Sequence, residues 1–144
     1  MANKYINRYH SFCSSLNNLK KSVTADPSMD FVLEGTVQNF NLTFDISWKV
    51  MKDILIKKME ILDFAIGSPR EVLQTAFANG LIGDDVWLKM LRTRNCLAYD
   101  YDGEIAKESF YMIISDYYKA FLKLKKHIEP YYQDGFERQD TFAN

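Results

Sequence analysis

Arg94 and Asn95 stand side by side in the stretch Trp87 to Asp102, WLKMLRTRNCLAYDYD, and two tyrosines, Tyr99 and Tyr101, follow them. An always-charged guanidinium on an otherwise apolar helical segment is costly to pack unless it has a partner or a task. Arg94 can contact a phosphate as a planar, multidentate donor. It can equally close an ion pair inside the fold, with Glu34 or Asp45 as the acid. Asn95 is mildly unfavourable in a helix interior. It either bonds the local backbone or, beside Arg94, binds a nucleotide or an opposite protomer. Tyr99 is an aromatic filler with a hydroxyl handle or a stacking platform for a base in a shared groove. Tyr101 lies between Asp100 and Asp102, which suggests an exposed helix end. Seven residues separate it from Arg94, so a regular helix would place both near one face.

Chemistry-bearing residues elsewhere are sparse. His10 and His127 are isolated in sequence. His127 belongs to the run Lys123, Lys125, Lys126, His127, which reads as a solvated helix face with its cations toward the C-terminal dipole. Cys13 and Cys96 have no CxxC or CxxH company, so reduced thiols packed as small hydrophobes are expected and a metal site is not. There is no Gly-rich phosphate loop and no paired-carboxylate motif at catalytic spacing, and no cofactor is expected.

The elements that must position Arg94 read as helices throughout. Tyr5, Tyr9, Phe12, Leu16, Leu19 and Val23 step by three and four residues along a first helix, and Asp26-Pro27-Ser28 breaks it. A long second helix, roughly 29 to 65, carries Leu33, Val37, Phe40, Phe44, Trp48, Met51, Leu55 and Leu62, with Phe44 and Trp48 as core. Gly35 near its start suggests a close helix contact, and Gly67 supplies the C′ stop. Ser68-Pro69-Arg70-Glu71 restarts a short third helix with a capping box and proline at the first position. Asp84 can cap a fourth, which Asp102-Gly103 closes. A fifth runs from about 104 to 132, with Pro130 near its end. The expected architecture is an all-α, antiparallel up-and-down bundle of four long helices plus one short helix.

The chain has 144 residues, enough for one domain with a sizeable core. Residues 1–132 are expected to form that domain and 133–144 a frayed, flexible tail. With 47% hydrophobic and 15% aromatic residues, disorder is not expected elsewhere. A net charge of −1 and a pI of about 6.1 do not supply the footprint of a general nucleic-acid binder, though a small local basic patch stays open. The polar start MANKYINRYH reads as no signal peptide, and no apolar run reaches membrane-spanning length, so a cytoplasmic protein without a membrane partner is expected.

Several separated blocks agree with one family. Glu34-Gly35-Thr36-Val37-Gln38-Asn39-Phe40, Phe44 through Lys52, Ser68-Pro69-Arg70, Ala76-Phe77, Leu81-Ile82 and Trp87 through Asn95 resemble, in the same order, the nucleotidyltransferase substrate-binding proteins of the HEPN-like helical bundles. The resemblance implies a small helical protein, often a homodimer, that complexes with a separately encoded minimal nucleotidyltransferase. The transferase chemistry is then expected on the partner chain, and this chain is read as a non-catalytic, substrate-binding subunit with a nucleotide or RNA as ligand. Some such pairs are toxin–antitoxin systems. In those, the helical protein is a ribonuclease with the signature R-x4-H-x-Y, silenced by AMP transfer to its tyrosine. Here Arg94 matches the arginine, Tyr101 the modifiable tyrosine, and Tyr99 replaces the histidine. Metal-independent RNA cleavage needs a group that exchanges protons near neutral pH, which imidazole does and phenol does poorly. Tyr99 therefore argues for the binding subunit over the ribonuclease. Arg94, Asn95 and Tyr99 are its expected substrate-binding residues, and Tyr101 is the modification candidate of the ribonuclease alternative.

Overall fold

In the computed structural model, which describes residues 3–61, 68–100 and 103–133, the chain is all-α, with no strand among the described residues. Helix α1 spans Lys4–Val23. Asn3 starts it: its side-chain oxygen accepts from the backbone N–H of Tyr5 at 2.8 Å, satisfying an amide that the first turn leaves open. Tyr9, Phe12, Leu16 and Leu19 form its buried stripe, as their spacing predicts. The break at Pro27 is built by Asp26, whose carboxylate accepts from the backbone N–H and hydroxyl of Ser28 at 2.9 and 2.7 Å. Those bonds hold the Asp26 carboxyl below its ordinary range.

Helix α2, Val32–Lys57, is shorter than the expected 29 to 65. Phe31 precedes it with a left-handed φ of 70°, and Glu60 follows its end with a φ of 55°. The Ile61 N–H returns to the Leu55 carbonyl at 2.9 Å. A glutamate in the left-handed region leaves no sequence signature of a stop, whereas glycine does. Leu62 and the expected terminator Gly67 lie outside the described residues. Gly35 makes no close helix contact: a Cβ placed there would have nothing within 4 Å.

Ser68 caps α3, Pro69–Ala78, its hydroxyl accepting from the Glu71 N–H at 3.4 Å. The Asp84 carboxylate accepts from the Val86 N–H at 3.2 Å and leads into α4, Val86–Leu97. This helix ends at Leu97, short of Asp102-Gly103. The last helical run comprises α5, Glu104–Met112, a π turn over Ile113–Tyr117, and α6, Tyr118–Gln133, with Pro130 inside its final turns. The rest of the expected tail lies outside the described residues.

Helices α1 and α2 run antiparallel, because Arg8 pairs with Asp53 while Ser22 meets Thr36 at 2.8 Å. The core is aromatic at its centre. Phe40 stacks on Tyr117 at 5.4 Å and lies 6.2 Å from Phe121, and Trp87 meets Phe121 edge-on at 5.5 Å. Such pairs add to burial through the ring quadrupole. Phe44 is fully buried, but Trp48, expected beside it in the core, is only partly covered and packs from the rim. Of the two thiols, Cys13 packs partly against the core, while Cys96 is exposed and fills no hydrophobic position.

Candidate functional site

The buried stripe of α4 decides where Arg94 stands. Trp87, Met90 and Leu91 are buried, and Arg94 falls seven residues after Trp87 on the same face. Arg94 is thus carried to the rim of the core beside α2. There its Nε and Nη2 donate to the two carboxylate oxygens of Asp45, each at 2.8 Å. This is the two-pronged pairing that a guanidinium and a carboxylate make best. Of the two acids that sequence offered, Asp45 is the partner and Glu34 is exposed.

The pair is open rather than buried, with side-chain exposures of 38% for Arg94 and 32% for Asp45. Ion pairs in such water-rich surroundings contribute little stability. What this one fixes is orientation. Asp45 holds the plane of the guanidinium and keeps it more firmly protonated than usual, chiefly through the hydrogen bonds. Nη1 makes no hydrogen bond among the described residues, so a fixed cation retains donors for an acceptor from outside.

A second contact pins the same turn of α4. The Thr93 and Tyr117 hydroxyls are hydrogen-bonded at 2.8 Å, and Tyr117 belongs to the π turn. The wider turn of a π segment changes which side chains face a neighbour, and such segments recur at functional sites. Nothing in the sequence pattern announces this turn.

Asn95 is exposed beside Arg94. Tyr99 lies beyond α4 in a turn closed by the Tyr99 N–H on the Cys96 carbonyl at 3.0 Å. The following residue anchors that turn: the Asp100 carboxylate accepts from the N–H groups of Ile105 at 3.0 Å and Ala106 at 2.8 Å. A carboxylate at a helix start is favoured by both hydrogen bonding and the dipole. Tyr99 itself is 72% exposed, so the filler reading fails. Tyr101 lies outside the described residues. Helix α4, expected to run on to Asp102-Gly103, stops at Leu97.

Sequence reasoning missed a second ion pair. Arg8 Nη1 donates to Asp53 Oδ1 at 2.7 Å, between α1 and α2. Asp53 is buried, and its other oxygen has no hydrogen-bond partner. Burial, more than Arg8 offsets, pushes its pKa up to about 6. An acid between hydrophobic Val50, Ile54 and Leu55 was the available signal, since a carboxylate on a buried face requires a partner. His10 and His127 are exposed and separate from Arg94 in sequence. No cluster of three or more His, Cys, Asp or Glu suited to a metal occurs among the described residues. No helix among them is long and apolar enough to cross a membrane.

Residues 6–130 match the model of a protein family described as "Nucleotidyltransferase substrate binding protein like". Among curated proteins, none matches the chain.

Proposed function

Because the chain belongs to the nucleotidyltransferase substrate-binding-protein-like family, we propose that it is the non-catalytic, substrate-binding partner of a separately encoded minimal nucleotidyltransferase. The family match across most of the chain carries this reading. The geometry around Arg94 supports it. An oriented, permanently charged donor with Asn95 next to it in sequence, and an exposed Tyr99 in the turn after α4, suits contact with a phosphate and a base presented to another enzyme. In this reading the motif lies at a two-fold helix interface, and a homodimer brings two copies of it together. Localisation is cytoplasmic, and the chain needs no cofactor of its own.

Native mass spectrometry of the chain co-expressed with a nucleotidyltransferase from the same genome tests the reading. A stable complex with unmodified subunits is expected. Absence of a complex at micromolar concentrations overturns it. AMP-sized additions mapping to Tyr101 would move the chain to the HEPN ribonuclease class of toxin–antitoxin pairs, against the replacement of the motif histidine by Tyr99.

A further inference from the structure

Beside Asp45, α2 carries Trp48, Lys49 and Lys52, spaced three, four and seven residues from it. That spacing is one helical face. It leads from the Arg94 pair into a groove that α2 forms with the start of α1. The groove encloses about 370 Å³, within the range that holds small ligands. Five cationic side chains line it against one carboxylate, Asp53, in a chain whose net charge is −1. Concentrating positive charge in one concavity raises the local concentration of anions. The carboxylate is already engaged by Arg8. Lys4, Lys49 and Lys52 make no salt bridge among the described residues.

Aromatic rings are interleaved with these cations. The Lys49 ammonium lies 5.7 Å from the centre of the Trp48 ring, and Lys4 lies 5.2 Å from that of Tyr5. Exposed contacts of this kind are weak, so an ammonium can leave a ring for a phosphate. Cations that track phosphates beside rings that stack bases are the physical basis of nucleotide-strand binding. An acidic peptide would use the lysines and leave the rings idle.

We propose that this α1–α2 groove is a second binding site that takes a phosphorylated nucleotide unit, with phosphate on Lys4, Lys49 and Lys52 and the base on Trp48. The unit can be a free nucleotide or one residue of a single strand. The site is built by α1 and α2 alone and stands whether or not a nucleotidyltransferase binds.

Titration of the full-length chain with AMP, and separately with a six-nucleotide oligoadenylate, tests the site through Trp48 fluorescence. The other tryptophan, Trp87, is buried in the core and lies outside the groove. Saturable quenching that weakens with added salt is expected. A folded Lys49→Glu, Lys52→Glu double variant should bind at least about tenfold more weakly. Trp48→Leu, followed by calorimetry, should weaken binding too. Lys126→Glu, which reverses an exposed charge on α6, should match the parent. Tighter binding of the oligonucleotide identifies a strand as the source, and equal binding a free nucleotide. Absence of saturable binding by both probes overturns the proposal. So does binding that neither the lysine reversal nor Trp48→Leu alters, or inorganic pyrophosphate competing as well as AMP.

Discussion

Two aspartates on α2, Asp45 and Asp53, each take an arginine from another helix, yet the two pairs are physically different objects. Asp45 and Arg94 meet through two hydrogen bonds with both side chains roughly one-third exposed. Asp53 and Arg8 meet through one, with the carboxylate only 7% exposed and one oxygen unpartnered. In the first, water already solvates both charges, so the pairing orients Arg94 at small energetic stake. In the second, desolvation outweighs the attraction of Arg8, and the carboxyl holds its proton up to about pH 6. Perturbed acidity and ion pairing are therefore poor guides to the site here. The strained pair is the structural one, and the relaxed pair presents the functional candidate.

The largest effect should come from Arg8→Ala. It strands a buried carboxylate and should cost about 2–4 kcal/mol in denaturant melts, since breaking a buried pair from one side is expensive. It should also drive the Asp53 pKa still higher in an NMR titration, because the arginine pulls it down. A loss no greater than that of Arg94→Ala would dissolve the distinction.

The pH dependence sharpens the contrast next. Folding raises the Asp53 pKa from 3.8 to about 6, so the folded chain binds this proton more tightly than the unfolded one. Stability contributed by the protonated group is complete below the unfolded value and is lost as pH rises through the folded one. Melts of the parent should therefore decline between about pH 4 and pH 6 relative to Asp53→Asn, and run parallel above. Parallel curves throughout would place Asp53 in water.

Removing the Tyr117 hydroxyl, which pins α4 from its other side, is an intermediate case. Tyr117→Phe should cost about 1 kcal/mol by leaving Thr93 without this partner. Arg94→Ala should be the mildest, at about 0.5–1 kcal/mol or less, while weakening nucleotidyltransferase binding at least about tenfold in calorimetry. Loss of folding in that variant would show that Arg94 serves the bundle first.

Much of the helical scheme was legible because local rules agreed with one another. The cap at Ser68, the break at Pro27 and the apolar spacing of α1 each act within a few residues, and the structure keeps all three. The errors cluster where the backbone departs from those rules. Phe31 and Glu60 bound α2 in left-handed conformations that their residue types do not advertise. Beyond the end of α4 at Leu97, the Asp100 carboxylate reaches forward to accept from the Ala106 N–H at the start of α5, six residues on, a contact that local apolar spacing does not announce.

The sequence by itself determined an all-α chain, its family, and the short list containing Arg94, Asn95 and Tyr99, since periodicity and residue type are local properties. Only the tertiary structure chose Asp45 over Glu34, exposed Tyr99, seated Asp53 against Arg8 and gathered lysines from both α1 and α2 into one groove. Those outcomes depend on which faces of separate helices meet. Contacts such as Arg94 with Asp45 join residues far apart in the chain, and their strength is set by the water that packing removes.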